Sequence, residues 1–330
     1  MRRVLSTACV FALLSHPAFA YLKFGVPIGG RQVTLKWAQT PVRYYVSNTS
    51  VPGVTTDDFL AAVGRAFGSW QAVPTASITY QLGGITNALP GRDDGLSTVG
   101  FLNRPDLDRV LASTSYLIDM TSGALVESDI FFNSSFPWSV APAGEPGRFD
   151  VESIALHEIG HLNGLGHSAL GETVLREGGG RLVISSEAIM FPIAFAAGSI
   201  AGRTLKADDI AGISDLYPEG DFGQNSGTVS GRVTKDGVGV FGAHVVAFDP
   251  ATGAMVGGFS LNAQGQFTIG ALSPGPRVLR VEPLDDADVD SFFDATQAVD
   301  LDFRVLFFDQ LVVVPRGGDS GSVELKVVRK

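Results

Sequence analysis

Residues 157–167 read HEIGHLNGLGH, which places three imidazoles and a carboxylate in one short stretch. On a helix, residues four apart differ by only about 40° in direction, so His157 and His161 leave one face at neighbouring levels and can grip one ion. His167 cannot join them on the same helix. Six further residues carry it about 240° past His161, with its ring pointing away. The chain must therefore leave the helix between His161 and His167, and Gly164 is where it can turn, because glycine takes positive φ at little cost. Glu158 sits beside His157 on the ligand side. Three neutral imidazoles with an open fourth position describe a catalytic zinc site, and a carboxylate there can take a proton from a zinc-activated water and pass it to a leaving amine.

The helix that carries the pair needs a start and a buried back. Asp150 is well placed as its N-cap, and Val151, Ala155, Ile159 and Leu162 fall on a face opposite the histidines. Upstream, Thr56 to Trp70 has apolar residues at helical spacing (Phe59, Leu60, Val63, Phe67, Trp70), with Thr55 or Thr56 as cap and Asp57 and Asp58 in the first turn. Pro41–Val46, Ile78–Leu82, Val110–Ile118 and Asp129–Asn133 read as strands between glycine-containing turns. Strands mixed with a few helices predict an α+β fold.

Composition narrows the chemistry. The chain has 330 residues, 45% hydrophobic and 18% charged, enough for a sizeable core and more than one domain. It opens MRR, continues through the apolar run Val4 to Leu14 and reaches Ala18-Phe19-Ala20, so residues 1–20 read as a secretory signal and the expected location is secreted or extracellular, the periplasm included. No later segment holds about 18 uninterrupted apolar residues, and no membrane span is expected. Loss of Arg2 and Arg3 with the signal takes the formal charge from −10 to about −12, which argues against nucleic acid as a partner. Cys9 is the only cysteine, so the mature chain has neither disulfides nor a thiolate metal site. Of the five histidines, His16 leaves with the signal, and three of the other four lie in the 157–167 stretch.

Near Glu219 the texture changes. Residues 219–227, EGDFGQNSG, read as a polar linker. Beyond it, short β-rich runs at Thr228–Val233, Ala243–Asp249, Met255–Leu261, Phe267–Leu272 and Val278–Glu282 alternate with turns such as Asp249-Pro250-Ala251-Thr252-Gly253. This predicts a small all-β sandwich at 228–330 after a first domain at 21–218.

HEIGHLNGLGH resembles, position for position, the zinc signature HExxHxxGxxH of the metzincin metalloproteases. Ser168, the run Ala188-Ile189-Met190-Phe191-Pro192 and Leu205-Lys206-Ala207-Asp208-Asp209-Ile210-Ala211-Gly212-Ile213 with Leu216-Tyr217 resemble the matrixin branch. The resemblance covers residues 35–218. Trp37, the strand at Pro41–Val46 and the helix ending Ala66-Phe67-Gly68-Ser69-Trp70 take the places of the family's first strand and helix, and Val110-Leu111-Ala112-Ser113-Thr114 that of the edge strand above the cleft. It implies a metzincin-type catalytic domain in which His157, His161 and His167 hold Zn2+, Glu158 is general base and acid, and Met190 is the structural Met-turn residue. The implied activity is zinc-dependent endopeptidase action on protein or peptide substrates. Beyond residue 226, Gly231-Arg232-Val233, Gly242-Ala243-His244-Val245 and Gly265-Gln266-Phe267-Thr268-Ile269 resemble the carboxypeptidase regulatory-like, transthyretin-like sandwich.

This sequence also departs from the matrixin pattern. Pro192 stands where some sister families place a ligating tyrosine. No mature cysteine remains for a latency switch, and His244 alone is spare for a second, structural zinc. Residues Gly171 to Ser186, with Gly178-Gly179-Gly180, form an insertion that reads as a surface loop or a flap near the cleft. Asp93-Asp94-Gly95 reads as an Asp-Gly turn or, with clustered oxygens, a loop for Ca2+. A second function class is an adhesive or binding protein that uses the same domain to recognise a partner. Intact Glu158 speaks against it, because lost catalysis commonly frees that position to change. Nothing in the sequence sets an oligomeric state.

Overall fold

The structure, a computed structural model, describes residues 22–294 and 296–330 together with the backbone of Arg3–Ser6. The segment read as a signal therefore lies outside the described residues apart from Arg3–Ser6, whose backbone pairs with Tyr116 to Asp119. No helix among the described residues is long and apolar enough to cross a membrane.

Helix α1 spans Thr56–Gln71 and starts where its cap demands: Thr55 is extended, and its hydroxyl accepts from the Asp58 N–H at 3.2 Å. Its buried residues, Phe59, Ala62, Val63, Ala66, Phe67 and Trp70, follow the helical repeat. They pack against a sheet whose strands run Ala112–Asp119, Ala124–Asn133, Ser97–Leu102, Val42–Ser47 and Tyr80–Thr86 in spatial order. The last four are parallel, and Ala112–Asp119 is antiparallel to its neighbour. Ser97–Leu102 is the strand that periodicity does not announce. It sits mid-sheet, covered on both faces, so its residues are buried continuously and show no alternation.

Helix α2, Val151–Leu162, lies against α1, where the Trp70 indole N–H donates to the Leu156 carbonyl at 2.9 Å. Helix α3, Ala207–Leu216, follows later in the chain and turns Ala211, Ile213 and Leu216 into the same buried cluster. The insertion expected as a loop or flap is a β-hairpin, Gly171–Leu175 against Arg181–Ser186, reversed through Gly178, Gly179 and Gly180 at φ of +90°, +100° and +81°. Arg176 to Gly180 mask the signal: charge and glycine at the tip read as loop, while the apolar residues of each arm are too few to show a period.

The residues expected as a linker are folded. The Glu219 N–H donates to Thr75 O at 3.0 Å, Phe222–Asn225 form one helical turn, and the Gly317 N–H donates to Ser226 O at 2.8 Å. A polar composition here marks exposure, not freedom. Beyond this turn two sheets form. In one, Gly227–Lys235 lies between Gln266–Leu272 and a parallel Asp319–Val327; in the other, His244–Phe248 lies between Met255–Phe259 and Gly275–Glu282. Val229, Phe267 and Leu325 from the first sheet and Val245, Leu279 and Val281 from the second share a buried cluster that continues through α3 into the first half.

One polar contact ties α3 to the second sheet. Asp208, 2% exposed, accepts the Gly257 N–H at 2.8 Å. Burial, reinforced by the neighbouring Asp209 charge, pushes its carboxyl up to about 7. Between about pH 4 and pH 7 the folded chain thus keeps a proton that the unfolded chain has released, so this group's contribution to stability falls as pH rises through that window. Asn at this position keeps an acceptor oxygen and cannot ionise. Relative to the parent, Asp208→Asn should gain stability as metal-free protein is taken from pH 4.5 to 7.5 in urea unfolding; an unchanged difference between the two proteins across that range would refute the assignment.

Candidate metal centre

Helix α2 begins at Asp150, whose carboxylate accepts the Ser153 N–H at 2.8 Å and is itself held by Arg203 Nε at 2.9 Å. The helix then ends in the turn that the histidine spacing requires. Gly164 has φ +100°, and a Cβ there would lie 2.3 Å from the Leu35 carbonyl oxygen, so both conformation and space demand glycine. Its N–H donates to His161 O at 2.8 Å, the Leu165 N–H to Gly160 O at 3.0 Å, and the Phe24 N–H to Gly164 O at 2.9 Å. The free carbonyls of the last helical turn are taken by side chains: Trp37 Nε1 donates to Leu162 O at 2.9 Å and the Tyr217 hydroxyl to Asn163 O at 2.7 Å.

With the chain so reversed, the three rings meet. His157, His161 and His167 each present a ring nitrogen within 4.8 Å of the others. Each Nδ1 lies against a backbone carbonyl: His157 on Ile189 O at 2.7 Å, His161 on Leu165 O at 2.8 Å, His167 on Ser291 O at 2.7 Å. A carbonyl only accepts, so each Nδ1 carries the proton and each Nε2 presents a bare lone pair. The Nε2 atoms of His161 and His167 stand 3.2 Å apart, two acceptors facing one another. That arrangement repels unless a cation lies between them, and neutral imidazole nitrogens are the donors zinc takes. Burial lowers the basicity of the set, and the neighbouring His157 adds to the effect at His161 and His167, so that His167 falls to about 3 and His161 well below the ordinary histidine range.

Glu158 is buried beside them. The Thr114 hydroxyl lies 2.6 Å from its Oε2 and donates to it, while burial outweighs that bond and pushes the carboxyl up to about 7. Thr114 is brought there by register: Ala112–Asp119 pairs with Ala124–Asn133, with Thr114 opposite Ile130, and α2 crosses its face. Below the helix, Met190 packs so closely that a Cβ on Gly160 would sit 2.2 Å from its sulfur. Asp209 holds the turn in place by accepting the N–H groups of Ile189 at 2.8 Å, Met190 at 3.2 Å and Lys206 at 2.8 Å. The three histidines and Glu158 open on a cleft of about 1140 Å³ whose walls include Val110 to Thr114, Leu175 and Arg176 of the hairpin, and Asp288, Asp290 and Ser291.

The sequence reading placed the three histidines, Glu158 and Met190 together, and they lie together here. It did not assign the carbonyl of Ser291, for which a residue 124 positions from His167 leaves no local signal, nor the part of Thr114 beside Glu158. The Ca2+ expectation at Asp93-Asp94-Gly95 finds no support. Asp94 Oδ1 accepts from its own Leu96 N–H at 3.0 Å, and the nearby Glu127 and Asp129 carboxylates are engaged by the N–H groups of Gly95 at 2.6 Å and Thr98 at 2.7 Å. His244 stands apart in the second sheet, its Nδ1 3.0 Å from Glu282 Oε1.

Fold and site together are matrixin-like. The Matrixin family model matches residues 97–178, the span that holds the two central strands, the strand bearing Thr114, α2 and all three histidines. The chain is similar to Metalloendoproteinase 1-MMP of Arabidopsis thaliana, 27% identical over 200 residues that cover 55% of this chain and 44% of that protein. It is 29% identical to Metalloendoproteinase 1 of Glycine max over 170 residues, 49% of this chain and 46% of that one. A shorter match, 43% over 77 residues, links 22% of it to 17% of Metalloendoproteinase 5-MMP of Arabidopsis thaliana. The chain thus spans less than half the length of these relatives.

The turn at Gly164 gives a direct test. Gly164→Ala adds a Cβ at φ +100° against Leu35 O, a strain of about 1–3 kcal/mol before any steric shift. Urea unfolding should show at least that loss, with less than one zinc retained per chain. Parental stability and full zinc content would contradict the account of the turn.

Proposed function

We propose that this protein is a secreted zinc-dependent endopeptidase. The observation that carries the reading is the convergence of three bare Nε2 lone pairs beside a buried carboxylate, in a cleft of about 1140 Å³. His157, His161 and His167 hold the metal, and zinc bound there supplies a Lewis acid that acidifies water and polarises a carbonyl. Glu158 takes the proton from the attacking water and delivers it to the leaving amine. Its burial suits both halves of that task, since a carboxyl near 7 exchanges protons at neutral pH, and the Thr114 hydroxyl keeps Oε2 aimed. Met190 is structural. An extended substrate pairs its backbone with Val110 to Thr114 along the cleft wall.

The organisation that goes with this reading is a signal at 1–20, a matrixin-like catalytic domain at 21–218 and a carboxypeptidase regulatory-like sandwich at 228–330. The plant relatives are named metalloendoproteinases, and the matched span contains every proposed zinc ligand, which supports peptide bonds as the target. The rival reading, a binding protein that recognises a partner without cutting it, requires no ionisable group at position 158.

The test uses the purified chain and a quenched peptide library with blocked termini, which excludes exopeptidases. Cleavage should vanish on chelation, return with zinc, and fall by at least about 10²-fold in Glu158→Ala while zinc stoichiometry stays near one. A chain that holds one zinc and cuts nothing under broad conditions would favour the binding reading instead.

A further inference from the structure

Two of the three histidines take their Nδ1 acceptor from the half of the chain that carries the metal motif: Leu165 lies in the turn after α2 and Ile189 in the segment below it. The third does not. His167 Nδ1 donates at 2.7 Å to the carbonyl of Ser291, which belongs to the C-terminal half. Ser291 closes a 3-10 turn, Val289–Ser291, in which its own N–H bonds to Asp288 O at 2.9 Å and the Phe292 N–H to Val289 O at 3.0 Å.

That turn is built into both halves. Phe292 and Phe293 are buried to within 1% and pack on Phe259 of the second sheet, Phe292 tilted at 5.6 Å and Phe293 edge-on at 5.2 Å between ring centroids, while Phe292 reaches the His167 ring edge-on at 6.1 Å. Their cluster includes Leu22, Val183 and Phe191 from the other half. On the outer side Asp286 accepts from the Thr173 N–H at 2.8 Å, and its carbonyl takes the Thr173 hydroxyl at 2.7 Å, which pins the segment to the hairpin beside the cleft. The turn is therefore fixed by aromatic packing beneath and hydrogen bonds above, with one carbonyl directed at a ligand.

We propose that the segment 285–293 is a positioning element of the metal centre, and that the Ser291 main-chain carbonyl sets the tautomer and ring angle of His167. The C-terminal sheets then complete the site and are more than an appended module. The inference rests on the zinc reading above. Its physical basis is general: an imidazole whose Nδ1 proton has no acceptor can turn about its side-chain bonds or carry the proton on the other nitrogen, and either change removes the lone pair the metal needs. Of the three rings, His167 is the one on irregular chain, without a helix to orient it. It has the most to gain from an external acceptor.

The experiment measures zinc affinity of the full chain by competition with a chromophoric chelator, and the visible absorption of the Co2+-substituted protein, with near-UV circular dichroism as the check on folding. Ser291→Ala keeps the carbonyl and should bind as the parent does. Asp286→Ala combined with Arg181→Ala removes the side-chain bonds that hold the segment to the hairpin, those to the Thr173 N–H, the Asp285 carbonyl and Asp288, and Phe292→Ala removes the packing beneath the turn. Each should weaken zinc binding by about 10- to 100-fold and shift the Co2+ bands, and Phe292→Leu should restore much of the loss. If Phe292→Ala does not fold, the double variant Asp286→Ala, Arg181→Ala decides. Folded variants that hold zinc within twofold of the parent, or a Ser291→Ala as damaging as the others, would overturn the inference and leave the zinc reading standing. A parent chain that binds no zinc would remove the zinc reading itself.

Discussion

Three backbone carbonyls, those of Ile189, Leu165 and Ser291, each lie against the Nδ1 of one of three converging imidazoles, and each carbonyl is held by its own part of the structure. A histidine is a useful ligand only when one nitrogen is bare and correctly directed, and the acceptor on its other nitrogen decides both. Each acceptor comes from a different kind of support. Leu165 follows a glycine-made turn whose strands are closed by Leu22 and Phe24; Ile189 is fixed by a buried carboxylate; Ser291 sits on an aromatic cluster. Disturbing any of these supports acts on the site from a distance.

Burial makes the site costly without an ion. Two Nε2 atoms face each other at 3.2 Å, and buried Glu158 beside them has one donor, Thr114, to offset its desolvation. Unpaired buried polar groups destabilise, and the fold offsets this through its hydrophobic core and the caps of α2. The depressed histidines and the raised carboxyl are two faces of one cause. Low local polarity favours uncharged imidazole, which is ready for a metal, and leaves the carboxyl near neutrality, ready to exchange a proton.

Much of this was legible in the sequence because it is local. The spacing of His157 and His161 is a helical fact, and the distance to His167 forces a break that Gly164 supplies. The cap at Asp150 was readable from residue type alone, as was the helix of Phe59 to Trp70, whose cap the sequence narrowed to Thr55 or Thr56 and the structure places at Thr55. What escaped reading is non-local or masked. Ser97–Leu102 is buried on both faces and shows no period; the hairpin at 171–186 hides behind a charged, glycine-rich tip; the stretch at 219–227 looks free by composition yet is hydrogen-bonded to Thr75 and Gly317. Ser291 is the extreme case, since a main-chain carbonyl carries no residue signature.

The adjacent acids at the start of α3 show how one short element joins these pieces. Successive helical residues point about 100° apart, so Asp208 and Asp209 face different neighbours from one spot. Asp209 collects the N–H groups of Ile189 and Met190 and thereby fixes the carbonyl that orients His157. Asp208 turns the other way, to Gly257 of the second sheet, whose strand continues to Phe259 beneath the Ser291 turn. The orientation of His157 and that of His167 are thus referred to the same helix end, one through a carboxylate to the Met190 turn and one through a strand to an aromatic base. Such a shared anchor keeps two ring directions in register even though the segments that supply them lie far apart in the chain.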